Sequence, residues 1–456
     1  MKKQITGSLA ATAALLAIAG IAQAAPAELN IYGASAQYTY WNAQAQNFAS
    51  SRLGCTAAAP TNSPDGKHGF VSAKSCTSTL VPVNSVTNKR DLDIRYSGIA
   101  SAEGPLAVLK KAPLDANLLK NITGFDVDKK PIYGTTVCNA NNGERAMADS
   151  ASTASCHTVH VGTSDVAGES LTQVSSGQKL GPMGGGAFSV TMTSIDTSSL
   201  TPNNTVVVPF GFFVNKNVTA QQCTTGLVGN YCTTNAHCKL NDGTAGTCGA
   251  AAPISNISRE EASLLFSGYV ADWSDLGAYF TPQPVVACLR HAGSGTHAAF
   301  DLTVMNSLWG ANIATAETPG FIWFNQGSSD EIKCVNGATT ATPNGSLIGA
   351  IGYADADQAT GVANTSQNVI PVKYNGQFGT RTALRNGQYD FFTNAWLYTN
   401  GPTTGVAAEL VAFAKDPANV PASKINYWAA QDEMKFNRGA DNTYPAFVGA
   451  ASPMLP

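Results

Sequence analysis

Charge is scarce in this sequence. Only 12% of its 456 residues are Asp, Glu, Lys or Arg, and the acids outnumber the bases by 30 to 27. There is no basic run that could follow a phosphodiester backbone, so no nucleic-acid partner is expected. Beyond the first two dozen residues no stretch is apolar for long enough to span a bilayer. No C-x-x-C pair occurs. The group Cys223, Cys232, Cys238 and Cys248 with His237 therefore makes a poor zinc motif, and no metal or other cofactor is expected. Six histidines are few for a metal-dependent hydrolase.

What the chain does have begins with a processing segment. Lys2 and Lys3 precede a short apolar run from Leu9 to Ile21, and Ala22-Gln23-Ala24 is a small-x-small cleavage site. Residues 1–24 are read as a signal peptide. No cysteine follows the cleavage site, so the product is expected to be periplasmic or secreted, soluble and not lipid-anchored. Ten cysteines fit an oxidising compartment, where disulfides are the default. Sequence proximity suggests Cys55–Cys76, Cys138–Cys156 and Cys288–Cys334. The remaining four allow three connectivities, and spacing does not choose among them.

Along the mature chain, short apolar strands run into turns of glycine and hydroxyl residues, the mark of an α/β domain whose carboxyl-end turns gather at a crevice. Leu29–Tyr32 leads to Gly33-Ala34-Ser35-Ala36 and then to a helix with Tyr38, Trp41, Ala45 and Phe48 on one face. Strands are expected at Asp93–Tyr96 and Thr158–Val161, with a Pro/Gly/Ser/Asn-rich loop between Cys55 and Cys76. Residues 206–214 form an apolar crossing, and 347–353 a second. Ser258 to Glu261 is a capping box with Ile257 as its staple. Trp273 to Gly277 reads as a surface turn, and Val406, Leu410 and Phe413 as a late amphipathic helix. Two crossings around a middle block imply two lobes: 25–212 with 352–456, and 213–351, the second carrying a Cys-rich insertion at about 219–252.

The turn Arg290-His291-Ala292-Gly293-Ser294-Gly295-Thr296 stands between an apolar strand and a helix marked by Phe300, Val304 and Leu308. Its glycines admit close backbone approach, and a helix start offers unpaired N–H groups to an anion. Arg290 adds a planar, permanently charged fork.

Taken in order, these stretches resemble the periplasmic phosphate-binding proteins of ABC-type phosphate uptake. Gly33 to Tyr38, Tyr96 to Gly104, Val161 to Asp165, the crossing strand with the later Trp273-Ser274-Asp275 turn, and Arg290 to Thr296 are similar to successive motifs of that family. Ile351-Gly352-Tyr353 and Gly387-Gln388-Tyr389 match later landmarks. The resemblance implies a type II periplasmic-binding-protein-like α/β fold, two lobes joined by crossing strands with a ligand cleft between them. It also implies a monomer that binds phosphate or a similar oxyanion and serves a membrane ABC permease. The ligand residues it implies are Gln37, Tyr38, Ser101, Asp165, Arg290, Ser294, Gly295 and Thr296, with Glu103 as the alternative to Ser101. Arg290 and the hydroxyls of Ser101, Ser294 and Thr296 would donate, together with the N–H groups of Tyr38, Ser294, Gly295 and Thr296. A buried Asp165 would accept the proton that phosphate carries and sulfate lacks. The chain departs from the family at Ala292, where an Asp pairs the arginine, at Gln37, where a Thr stands, and in the long stretch from about Leu106 to Cys156.

No catalytic residue is assigned and an enzyme is not expected. Two other classes stay open: an exported phosphatase on the same scaffold, and a cell-surface interaction protein that no longer serves transport. His157 and His160 are read as surface or loop residues, and His291 and His297 have no carboxylate partner nearby in sequence.

Overall fold

The computed structural model describes residues 26–179, 187–306, 312–314, 322–337, 348–363 and 368–448. The leader, Leu308 and the first residue of the second apolar stretch lie outside them. In chain order the elements used below are β1 (Ala27–Gly33), α1 (Ser35–Leu53), β2 (His68–Lys74), β3 (Leu92–Gly98) and α2 (Glu103–Val108). An insertion follows with β4 (Lys120–Phe125), β5 (Pro131–Val137), β6 (Glu144–Ala148) and β7 (Ala154–Thr158). Then come β8 (Val161–Ser164), the long β9 (Leu200–Asn215), the hairpin β10 (Thr219–Thr225) and β11 (Thr247–Pro253), and α3 (Arg259–Phe266). The remainder is β12 (Val286–Arg290), α4 (Gly295–Phe300), β13 (Ile322–Asn325), α5 (Ser328–Val335), β14 (Ala350–Asp355), β15 (Val369–Tyr374), β16 (Phe392–Asn400) and α6 (Gly405–Lys415).

Two α/β lobes share one strand. In the first lobe the order is β2-β3-β1-β8-β16-β9, with β1 parallel to β3 and to β8. The first half of β9, Leu200 to Pro209, pairs antiparallel with β16. Its second half, Phe210 to Asn215, lies between β14 and β15, and β12 and β13 extend that sheet. Helix α1 buries Tyr40, Trp41, Ala45 and Phe48 against the first sheet. It ends where Gly54 adopts φ 61°, a left-handed cap that glycine takes without strain. In the second lobe an aromatic cluster forms the core: Phe212, Phe266, Phe300, Tyr353 and Phe391 are all fully buried, with the Phe300 and Tyr353 rings stacked 4.4 Å apart. Centroid spacings in this range are those of attractive offset pairs.

Five disulfides use all ten cysteines: Cys55–Cys76, Cys138–Cys156, Cys288–Cys334 and, within the cluster, Cys223–Cys238 and Cys232–Cys248. The cluster thus closes the β10–β11 hairpin rather than offering thiolates. Among the described residues no helix is long and apolar enough to cross a membrane.

Several expected elements are displaced. The strand expected at Thr158–Val161 is in fact two: β7 ends at Thr158 and β8 starts at Val161. The two residues between are turned by Asn30, whose carbonyl accepts from His160 N–H at 2.9 Å and whose side chain donates to Thr158 O. The stretch between Cys55 and Cys76 is no plain loop, since Thr56–Ala57 and Thr61–Asn62 both pair with β2. Trp273 is fully buried, its indole N–H donating to Gly349 O at 2.9 Å, so the turn it opens is docked inward. The chain after Gly352 also stays beside the second half of β9 through β15, and regains the first lobe only with β16. Buried Val369, Val372 and Tyr374 keep it there.

Candidate functional site

Turns after β3 and β8 in the first lobe face the turn after β12 in the second. Gly293 takes φ 88°, a conformation that side chains other than glycine rarely tolerate. This bend aims the start of α4 at the first lobe. Ala102 N–H donates to Gly293 O at 3.1 Å, and Ala292 N–H donates to Ser175 Oγ at 2.9 Å. Gly295 then approaches so closely that a Cβ there would lie 2.3 Å from Ser101 Oγ and 2.8 Å from Asp165 Oδ2. Three of the expected residues, Ser101, Asp165 and Gly295, therefore share one buried spot, with Arg290 near enough to act on Asp165 electrostatically.

Asp165 is 3% exposed. Ser101 Oγ donates to its Oδ2 at 2.9 Å and accepts from its backbone N–H at 3.2 Å. Burial pushes the carboxyl up to about 6, against the pull of the Ser101 hydrogen bond and of Arg290. Its Oδ1 is buried without a partner, as are Ser294 Oγ, Arg290 Nε and the Gln37 side-chain amide nitrogen. Unpaired buried polar atoms cost roughly 1–3 kcal/mol each, and those of Asp165, Arg290 and Ser294 belong to the facing turns.

Arg290 is held from its own lobe. Nη1 donates to Thr296 Oγ1 at 3.3 Å and to Ser328 Oγ at 3.0 Å, and Nη2 donates to Gln326 O at 3.0 Å. Ser328 Oγ in turn donates to Asp355 Oδ2 at 3.4 Å. Asp355 is buried and pushed up to about 7, chiefly by burial and then by Asp357 and Asp165. Buried Glu331 behind it rises to about 8 for the same first reason, with Arg290 the leading opposing influence. Ser328, Gln326, Asp355 and Glu331 were not singled out from sequence. The one available signal was a serine opening an amphipathic helix straight after a strand.

Two expected backbone donors are already committed. Tyr38 N–H donates to Ala34 O at 3.2 Å, closing the first turn of α1, and Ser294 N–H donates to His291 O at 3.1 Å. The N–H groups of Gly295 and Thr296 remain, since the first turn of a helix has no intrahelical acceptor for them. Tyr38 instead lines a cavity of about 190 Å³ with Ser35 and Gly98 of the first lobe and Gln326, Ser328 and Asp355 of the second. Glu103, the alternative to Ser101, turns away to accept from Leu114 N–H at 2.8 Å. His291 and His297 are buried; burial first, then neighbouring positive charge, lowers them to about 4 and about 3, so both are neutral at pH 7. His297 Nδ1 lies 2.6 Å from the Tyr353 hydroxyl.

A first-lobe acid and hydroxyl thus stand against a second-lobe arginine and helix start. The sequence is similar to that of a phosphate-binding protein. Over 164 residues it is 28% identical to the phosphate-binding protein PstS of Bacillus subtilis strain 168. That match takes in 36% of this chain and spans about half, 46%, of the relative's length. No family model matches. Among solved structures, a putative phosphate ABC transporter substrate-binding protein with bound phosphate from Clostridium perfringens is 12% identical. That comparison gives a TM-score of 0.43 and covers 86% of this chain and 94% of the other. An ABC-type phosphate transport receptor from Vibrio cholerae is 11% identical, with a TM-score of 0.39 and coverage of 86% and 94%.

Proposed function

We propose that this protein binds an inorganic oxyanion, phosphate, in the cleft between its lobes and delivers it outside the cytoplasm to the permease of an ABC transporter. The observation that carries the reading is Asp165: a buried carboxyl with an open Oδ1, against the turn that bears Arg290. A carboxylate beside a bound anion repels it unless the anion brings a proton to share. Phosphate at neutral pH has one and sulfate has none, so the acid discriminates between two tetrahedral ions of similar size. Arg290, Thr296 Oγ1, Ser294 Oγ and the N–H groups of Gly295 and Thr296 supply the donors. The similarity to PstS supports the same reading.

Binding rather than hydrolysis fits the polar inventory. His297 Nδ1 meets the Tyr353 hydroxyl and His291 Nδ1 the Ala292 carbonyl, contacts that hold each ring without activating it as a base. His157 is held between Glu28 and Asp149, 3.2 and 2.8 Å away.

Calorimetric titration with phosphate, arsenate and sulfate tests the proposal. The unmodified protein is expected to bind phosphate and reject sulfate, Arg290→Ala to lose phosphate, and Asp165→Asn to narrow the gap. Equal affinity of the unmodified protein for phosphate and sulfate would remove the role given to Asp165.

A further inference from the structure

The insertion that precedes β8 and the turn before β2 line a cavity of about 230 Å³. Tyr32 of β1 and Gln326 of the second lobe join them. None of Ser101, Asp165, Arg290, Ser294 and Thr296 lines it, so it is a place apart from the candidate oxyanion site. A cavity of about 150 Å³ is enough to hold benzene. This one therefore has room for a small organic molecule, and it is below the roughly 300–1,000 Å³ of pockets for drug-sized ligands.

Its lining combines two chemistries. Lys67, Lys120, Lys129 and Lys130 stand against two acids, Asp65 and Asp115. Among the described residues none of these lysines has a carboxylate oxygen within ion-pair distance. Each acid is engaged by its own turn instead: Asp65 Oδ1 accepts from Lys67 N–H at 3.1 Å, and Asp115 Oδ1 from Asn117 N–H at 2.9 Å. Lys120 Nζ donates to the neutral Asn117 Oδ1 at 3.0 Å. Ammonium groups that outnumber carboxylates round a concavity raise the local concentration of anions. The second chemistry is apolar, supplied by Tyr32, Ile99, Leu118, Ile122 and Tyr133. A hydrated inorganic ion leaves such surface uncovered, whereas a hydrocarbon body gains by covering it. No arginine lines the cavity, so it lacks the planar fork that grips a tetrahedral oxyanion in two places. Ammonium groups on flexible stems suit charges set at separate points of a carbon frame.

We infer that this cavity is a binding site for a small organic dianion of the dicarboxylate class, independent of the oxyanion site at Arg290. The carboxylates pair with the lysines, and the carbon body covers the tyrosine and aliphatic part of the wall. Four lysines against two aspartates leave charge for two carboxylates. The inference does not rest on the phosphate reading, which stands or falls by titration of Arg290→Ala.

Calorimetry on the full chain with the dianions adipate and terephthalate, and with the monoanions hexanoate and benzoate, tests it, with and without excess phosphate. At least one dianion is expected to bind about tenfold tighter than its monoanion, and equally well when phosphate is present. Lys120→Gln/Lys130→Gln should weaken that dianion at least tenfold, with an unchanged melting temperature showing that the variant is folded. Lys129→Gln/Lys130→Gln, confined to an exposed turn, should weaken it in the same sense. Failure of both dianions to bind overturns the site, as does binding no tighter than that of the monoanions. Displacement of the dianion by phosphate, or full affinity in both variants, overturns it too.

Discussion

Gly295 packs tightly against the facing lobe. A methyl there would overlap Ser101 Oγ and the Asp165 side chain, both already packed on their own lobe. Gly295→Ala is therefore expected to hold the lobes apart and weaken phosphate binding at least a hundredfold, while the melting temperature changes by only a few degrees. Titration beside a thermal scan checks both. The approach of the Ser101, Asp165 and Arg290–Thr296 turns to one another was legible because glycine-hydroxyl turns are conspicuous in so uncharged a chain. The support behind Arg290 was not legible. Ala292 leaves the arginine without its expected acid, and the residues around it come from 36 to 65 positions later through Gln326, Ser328 and Asp355. Nothing in local sequence marks Ser328 as an acceptor for a guanidinium.

At the level of elements, helices and long apolar strands were the most readable. The Ser258 capping box forms as expected, with Ser258 Oγ accepting from Glu261 N–H at 3.1 Å and Glu261 accepting from Ser258 N–H at 2.7 Å. Ser258→Ala should cost about 1 kcal/mol in a denaturant midpoint experiment. The insertion sheet was missed because its strands lack a two-residue apolar rhythm; β4 reads Lys-Asn-Ile-Thr-Gly-Phe, with Ile122 alone fully buried. Strand β8 escaped for a different reason. Val161-Gly162-Thr163-Ser164 is buried throughout and paired on both edges, but its glycine and hydroxyl residues read as a turn. The Cys288–Cys334 bridge links β12, which ends in Arg290, to α5, which begins with Ser328. Replacing both cysteines with alanine is expected to cost about 2–4 kcal/mol and to loosen the hold on Arg290. Phosphate affinity should then fall by more than the loss of folded protein accounts for, as parallel unfolding and titration curves would show.

For the whole molecule, pH sensitivity has a definite sign. Glu103 is raised to about 7, Asp355 to about 7 and Glu331 to about 8, each first by burial. For a raised acid the native state holds more protons than the unfolded chain, so its contribution to stability falls as pH climbs from the unfolded value through the native one. His157 is raised to about 9 by hydrogen bonds to Asp149 and Glu28 that outweigh its burial. Its stabilisation is full below the unfolded value and is lost as pH rises through 9. The lowered histidines His68, His291 and His297 act only below their ordinary range, where they oppose the acids. Between pH 6.5 and 8.5 the raised acids and His157 therefore share a sign, opposed by Lys67, which burial lowers. The anion-free protein should melt at progressively lower temperature across that interval, and Glu331→Gln should flatten the slope. A melting curve that is level or rises with pH contradicts this assignment.

The order of strands in the first sheet has a consequence for how the chain is made. β16 enters between β8 and β9, after some 230 residues of other structure have been completed. Until it arrives, two strand edges stand open with their backbone groups unmet, the condition under which chains pair with one another instead. The first lobe to begin is thus the last to finish, and an emerging chain has to be shielded until its final quarter is through.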